Sequence, residues 1–159
     1  MFIKPDYNLK SIYDINFDEL RENGISAVLF DLDSTLMASK SGVYSSKTIE
    51  FLNFVKKYFF IAVVSNNKNS EYIEKVRNAS DFPLLFNAGK PRVGKIKKFL
   101  GGFGLKPVDC VLVGDRPLTD ILCGKFLGCK TILVDSITAD SEAKIVRLVR
   151  ALERTVVKN

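Results

Sequence analysis

The chain is 159 residues long, 47% apolar and 26% charged, enough for one domain with a sizeable buried core. It contains no histidine, which excludes Ser-His-Asp and Cys-His nucleophile systems, HExxH zinc sites and imidazole general bases. The net charge is +6, and the excess lies in the second half: residues 1–89 carry 10 basic and 11 acidic side chains, residues 90–159 carry 14 and 7.

No apolar run approaches the ~20 residues of a membrane-spanning helix. Met1–Asp6 lacks the continuous apolar stretch of a signal peptide, so a cytoplasmic location is expected. Cys110, Cys123 and Cys129 show no CxxC spacing, and Cys110 reads as a buried thiol. Lys90, Arg92, Lys95, Lys97 and Lys98 cluster. A solvated helix face is their ordinary reading, and attraction to a phosphorylated or anionic surface the sharper one.

In chain order, Met1–Asn23 reads as an irregular or partly helical lead-in packed on the outside of a single domain spanning 1–159. Ile25–Leu32 reads as a strand. Ser46–Lys57 reads as a helix with Ile49, Leu52, Phe54 and Val55 on its apolar face. Phe59–Val64 is a second strand and Asn69–Ala79 a second helix. A short strand at Leu84-Leu85-Phe86 precedes a helix over Val93–Leu100, stopped by Gly101-Gly102. Cys110–Val113 reads as a strand, Leu118–Leu127 as a helix ended by Gly128, and Thr131–Val134 as the last strand. A C-terminal helix over 140–157 places Ile145, Val149, Leu152 and Val156 on one face and Lys144, Arg147, Arg150 and Arg154 towards the other. Strict β-α alternation predicts a Rossmann-like, three-layer α/β/α parallel sheet.

Asp31 and Asp33 follow the apolar run Ala27-Val28-Leu29-Phe30, with Thr35 two residues on. Two carboxylates closing a buried strand are costly unless a cation or proton chemistry compensates for their repulsion. A pair of solvated turn aspartates is the ordinary alternative. Ser65 closes the second strand, followed by Asn66-Asn67, where a hydroxyl and backbone amides would cradle an anion. Lys90 follows the third strand, Asp115 the fourth, and Asp120 lies five residues further. In a parallel sheet all of these converge on one lip.

Taken singly, Ser65 and Asn67 read as helix caps, Lys90 as a surface lysine, Asp115 as a turn residue and Asp120 as a first-turn carboxylate. Together they supply oxygen ligands for a hard cation such as Mg²⁺ and donors for phosphoryl oxygens. They also leave a carboxylate to attack phosphorus and a second to move a proton.

That pattern resembles the haloacid dehalogenase (HAD) superfamily of phosphotransferases. Asp31-Leu32-Asp33-Ser34-Thr35 matches its first motif, Ser65 its second, Lys90 its third, and Gly114-Asp115 with Asp120 its fourth. The resemblance implies Asp31 as nucleophile and Asp33 as general acid/base with its main-chain carbonyl on Mg²⁺. It implies Asp115 and Asp120 as further metal-site carboxylates, and Thr35, Ser65, Asn66 and Lys90 around the phosphoryl group.

Only 29 residues separate Thr35 from Ser65, and 24 separate Ser65 from Lys90. Core helices consume most of both intervals, which predicts a site without a cap domain, suited to a phosphate on something large. The lead-in from Pro5 to Ile15, Val113–Ile121, Leu127-Gly128 and Thr131–Val134 resemble the YqeG-like, capless branch, which is similar to mitochondrial phosphatidylglycerophosphate phosphatases. A phospholipid head group is therefore a candidate substrate. Peripheral membrane contact through the basic second half with Phe2, Tyr7 and Tyr13 is a candidate interaction, and no nucleic-acid partner is expected.

Three other readings compete. Gly89–Ile96 nearly matches a P-loop, but Ile96 stands where a hydroxyl is needed and Pro91 removes an amide. A receiver-like phospho-acceptor would need no second carboxylate two residues beyond the first. A partner-binding protein without turnover would have little use for Asp31, Asp33, Lys90 and Asp115 together.

Overall fold

Six parallel strands run through the centre of the computed structural model, which describes residues 3–137, 149 and 151–157. They are β1 (Tyr7–Asn8), β2 (Ala27–Phe30), β3 (Phe60–Val64), β4 (Leu84–Leu85), β5 (Cys110–Gly114) and β6 (Lys130–Leu133). Their order is β1-β6-β5-β2-β3-β4. Helices cover both faces of the sheet, so the central strands are apolar without interruption: β2 and β5 are buried at every position.

The pleat sorts these residues into two layers. Val28, Phe30, Ile61, Val63, Val111 and Val113 share a core with Leu20, Leu52, Val55 and Val76. Those four come from α1 (Phe17–Glu22), α2 (Ser46–Lys56) and α3 (Ser70–Ala79). The alternate residues Ala27, Leu29, Ala62, Val64 and Leu112 meet Ile96 and Leu100 of α4 (Gly94–Gly102) and Cys123 and Leu127 of α5 (Leu122–Leu127). Each such aliphatic side chain contributes about 1.5–3 kcal/mol by leaving water. The α/β/α layering expected from the sequence is the observed fold.

Several local readings are corrected. The lead-in is not merely external, because Tyr7–Asn8 pairs with Ile132–Leu133 and adds an edge strand. The buried stripe of α2 is Thr48, Leu52 and Val55; Ile49 and Phe54 are 46% and 51% exposed, with Phe54 packed edge-on against Tyr58. Helix α4 continues through Gly101-Gly102. Its last turn is held by Phe103, which packs on Phe60 and Phe99, and the chain turns away at Gly104, whose φ is +68°.

The expected helix over Leu118–Leu127 is a π-helical turn, Pro117–Ile121, running into α5, and Gly128 ends it at φ +89° as anticipated. Most of the expected C-terminal helix, residues 140–148, lies outside the described residues. Val149 and 151–154 are helical; of the expected apolar face, Val149 and Leu152 are 38% and 60% exposed while Val156 packs against Ile3, Ile121 and Leu133, and the buried residue between them is Glu153.

Candidate active site

From β2 the chain winds to β3 and β4 on one side, then returns to β5 and β6 on the other. The crevice beyond the C-terminal ends of β2 and β5 is therefore the switch point, where open α/β sheets take ligands. Phe30 and Val113 are register partners, and the Asp31 N–H extends the ladder by donating to Val113 O at 2.8 Å. Asp31 and Asp115 thus leave adjacent strands side by side. Ser65 follows β3, its N–H donating to Leu85 O, and Lys90 lies just beyond β4.

Lys90 ties the crevice together. Its ammonium donates to Asp31 Oδ1 at 2.9 Å and Asp120 Oδ1 at 2.6 Å, and its side chain is 2% exposed. Burial alone would push this ammonium down, but the charges of Asp120 and Asp31 outweigh it and hold the lysine above its ordinary range. Burial and the neighbouring Asp31 charge push the Asp120 carboxyl up to about 6, with Lys90 pulling against them.

The sequence provides for this approach. A Cβ at Gly114 would lie 2.3 Å from the Asp120 carboxyl carbon, so only glycine lets Asp120 fold back over the end of β5. Asn66 fixes the lysine's backbone: its Oδ1 accepts from Lys90 N at 2.8 Å and its Nδ2 donates to Lys90 O at 3.0 Å. The Thr35 hydroxyl sits 3.1 Å from Asp115 Oδ1 and 3.5 Å from Asp31 Oδ2.

Asp33 belongs to a different neighbourhood. The chain turns at Ser34 (φ +67°), whose N–H donates to Met37 O. The Asp33 carboxylate then faces the start of α3. It accepts from the Tyr72 hydroxyl at 2.5 Å, the Lys40 N–H at 2.9 Å and the Asn67 amide at 3.5 Å. Burial, and then the hydrogen bond to Asp33, push the Tyr72 phenol up, so it stays a donor at all ordinary pH.

The structure therefore brings Asp31, Thr35, Lys90, Asp115 and Asp120 into one cluster, with Asp33 at its rim facing away. The Ser65 hydroxyl accepts from Asn67 N at 3.1 Å, and the cap of α3 is Asn69 rather than Ser65 or Asn67. Lys95, the P-loop lysine of the competing reading, is exposed and donates to Asn87 O. Of the expected membrane-facing aromatics, Phe2 lies outside the described residues and Tyr7 is drawn into the sheet edge. Tyr13 lies beneath the Lys47 ammonium, 4.0 Å from its ring centroid.

Sequence reasoning missed Tyr72, and it missed a brace from the C-terminal segment. Arg116 makes a two-pronged pair with Glu153, Nη2 to Oε1 at 2.7 Å and Nε to Oε2 at 3.2 Å, while its N–H donates to Asp120 Oδ2. Arg154 donates to Asp115 O at 3.1 Å and Val134 O at 2.6 Å. The only signal for these contacts was the run of basic residues at the C-terminus, which reads equally well as a solvated helix face.

Asp31, Asp115 and Asp120 each bring one carboxylate oxygen within 4.8 Å of the other two. Three carboxyl groups face one ammonium in a secluded crevice, and the donors are all hard oxygens. A divalent cation such as Mg²⁺ fits that donor set.

Residues 87–147 match the model of a family described as HAD-hydrolase-like. Over 155 residues the chain is 30% identical to "Probable phosphatase YqeG" of Bacillus subtilis, covering 98% of this chain and 90% of that protein. It is also 30% identical, over 166 residues, to "Phosphatidylglycerophosphate phosphatase 1, chloroplastic/mitochondrial" of Arabidopsis thaliana. That match covers 99% of this chain and 48% of the plant protein, so the chain spans about half of that relative.

Among solved structures, a HAD-like family hydrolase from Porphyromonas gingivalis superimposes with a TM-score of 0.58 at 13% identity, over 81% of this chain and 98% of that one. A magnesium complex of a HAD family enzyme from Bacteroides thetaiotaomicron gives 0.55 at 13% identity, over 72% and 95%. These two likenesses concern the fold. On its sequence relatives, the chain belongs to the haloacid dehalogenase superfamily, as a phosphatase similar to YqeG.

Proposed function

We propose that this protein is a Mg²⁺-dependent phosphomonoesterase that works through an aspartyl-phosphate on Asp31, in a single domain with an open, capless site. The observation that carries the reading is the division of the two aspartates. Asp31 is fixed by Lys90 within the carboxylate cluster, while Asp33 stands outside it, held by donors that can be exchanged.

In the first step an Asp31 carboxylate oxygen bonds to phosphorus and the P–O bond to the leaving group breaks. Asp33 gives its proton to the departing oxygen, which leaves as an alcohol. Water then attacks the phosphoryl group, Asp33 takes back a proton, and the P–O bond to Asp31 breaks to release phosphate. Lys90 offsets negative charge between the nucleophile and the substrate oxygens. Asp31, Asp115 and Asp120 would hold Mg²⁺, which supplies further charge neutralisation when bound. Thr35 and Asn66 keep Asp31, Asp115 and Lys90 in register, and Ser65, just past the end of β3, would donate its hydroxyl to a phosphoryl oxygen.

Residues 31–45, between β2 and α2, form a loop with no inserted domain, which supports an open site and a large leaving group. The plant relative's name makes phosphatidylglycerophosphate the first lipid to test. Phosphate release from that lipid in mixed micelles is compared with release from soluble phosphomonoesters, with Mg²⁺, with chelator, and with Asp31→Asn as blank. Micellar activity far above the soluble panel, absent in the variant and with chelator, is the expected result. Equal cleavage of soluble esters would remove the lipid assignment. A phospho-aspartate that persists without releasing phosphate would replace the hydrolase reading with a receiver-like one.

A further inference from the structure

Two buried thiols lie beside each other, outside the crevice and unused by its chemistry. Cys110 heads β5, and Cys129 stands one residue ahead of β6. Val111 and Lys130 are register partners, so Cys110 and Cys129 are neighbours one residue earlier, at the end of the sheet opposite the crevice. Adjacent strands run about 4.8 Å apart. That spacing lies within the ~4.4–6.8 Å between α-carbons across which a disulfide closes. Both side chains belong to the same core, on the face of the sheet covered by α4 and α5.

The two sulfurs already interact. The Cys129 S–H donates to the Cys110 sulfur, which lowers the Cys110 thiol below its ordinary value and raises Cys129. Cys110 in turn donates to Lys106 O at 3.3 Å. Cys123 is placed differently: its sulfur lies 4.0 Å from Arg92 O, and burial pushes its thiol up to about 11. A single buried thiol is inert. Cys110 has a second sulfur in contact, so one thiol can be oxidised and the other can resolve it.

The covering is thin at one point. Cys129 is 8% exposed and follows Gly128, which ends α5 at φ +89°. Two N–H groups hold that turn, those of Gly128 and Cys129, and both donate to Gly124 O. Opening so short a turn takes far less than unfolding the sheet, and it uncovers the pair to a small neutral oxidant.

We propose that Cys110 and Cys129 form a reversible disulfide on reaction with a peroxide, a modification that staples the unit running from β5 through α5. The Cys110 thiolate attacks one oxygen of hydrogen peroxide and the O–O bond breaks, leaving a sulfenic acid on Cys110. The departing hydroxide takes up the proton that Cys110 released and becomes water. The Cys129 sulfur then bonds to the Cys110 sulfur, the S–O bond breaks, and the Cys129 proton leaves with that hydroxide as a second water. Two thiols are oxidised and one peroxide is reduced. Exchange with external thiols reverses the bond.

The ring that closes runs over 20 residues, from Cys110 to Cys129. It contains Asp115, the π-helical turn that carries Asp120, and all of α5. Two of the three clustered carboxylates are thereby held on one cross-linked unit. The staple is independent of the reaction those carboxylates perform.

The test uses the full chain, reduced and then exposed to a few equivalents of hydrogen peroxide, with the remaining thiols alkylated in denaturant. Intact mass should show a monomer that has lost two hydrogens and takes one alkyl group, where the reduced protein takes three. Fragmentation should place the bond between Cys110 and Cys129. Cys123→Ala should form the same bond, and Cys129→Ala should form none. The thermal midpoint of the oxidised protein should lie about 5–10 °C above that of the reduced one, and dithiothreitol should return it. A bond through Cys123, a covalent dimer, or a sulfinic acid with no bond would overturn the pairing. An unchanged or lowered midpoint would overturn the staple. If Cys129→Ala does not fold, the fragment map of the wild type decides the pairing by itself.

Discussion

The two flanks of Asp31 are built differently. Towards β5, the cationic side chains are each engaged: Lys90 with Asp31 and Asp120, Arg116 with Glu153, and Arg154 with the carbonyls of Asp115 and Val134. Towards β3, Asp33 is held by a phenol, an amide and a backbone N–H, and its surroundings open into a cleft. Buried ion pairs are rigid because separating them strands a charge, whereas hydrogen bonds from neutral donors are exchanged at small cost. One flank therefore suits the fixed geometry of phosphoryl group and cation. The other suits a proton carrier that must turn and a leaving group that must depart.

The comparison breaks most severely at Lys90. Lys90→Met leaves the buried Asp120 facing Asp31 with no counter-charge, which should cost about 3–5 kcal/mol of stability in addition to activity. Urea unfolding with chelator present measures it. A loss below about 1 kcal/mol would mean that water relaxes the crevice and that the flank is not fixed by charge.

Glu153→Gln tests the brace one layer out. Glu153 is 7% exposed at its side chain, and the substitution replaces a two-pronged charged pair with a neutral contact. A loss of about 1–2 kcal/mol is expected, with a higher Mg²⁺ requirement for phosphate release because Arg116 also holds Asp120. Unchanged Mg²⁺ dependence would reduce the C-terminal segment to a purely structural support.

The open flank should respond differently to Tyr72→Phe. About 1 kcal/mol of stability goes with the hydroxyl, and the informative readout is kinetic. Loss of the Tyr72 contact should lower kcat/KM for esters with poor alkyl leaving groups more than for p-nitrophenyl phosphate, which departs without a proton. Equal losses on both would mean that Tyr72 does not act through Asp33.

The same contrast decided what could be read from the sequence. Strands and the lip motifs were legible because they are short-range: continuous apolar runs mark buried parallel strands, and Asp31, Lys90, Asp115 and Asp120 fall directly after or near them. The close fold-back of Asp120 was already implicit in Gly114. What escaped were contacts set by tertiary placement alone. Tyr72 sits in the first turn of α3, where its spacing says nothing of a carboxylate 39 residues earlier. Glu153 reaches Arg116 across 37 residues, at a position where the periodicity pointed to Leu152 as the inward side chain. The edge strand Tyr7–Asn8 is too short to carry any alternation.

The fixed flank continues to the sheet edge, where the smallest effect is expected. Asp6 accepts from the Thr131 N–H at 2.8 Å and hydroxyl at 3.0 Å, and from Lys125 at 3.3 Å. Burial pushes its carboxyl up, but these donors outweigh burial and hold it below the ordinary value of 3.8. A carboxyl depressed in the folded state stabilises the fold above the unfolded value, and that contribution disappears as pH falls through the folded one. Asp6→Asn should therefore cost about 0.5–1 kcal/mol at neutral pH, a difference that holds while the pH stays well above the ordinary value and is lost as it falls through the lowered folded one. Asp120 has the opposite sign: its raised carboxyl means that, with chelator present, acidification from neutrality through about pH 6 favours the folded state. Stability curves of wild type and Asp6→Asn between pH 3 and 7 separate the two. If the wild-type curve only falls on acidification, Asp120 is already neutralised by Lys90, and the crevice has less need of a cation than its charge implies.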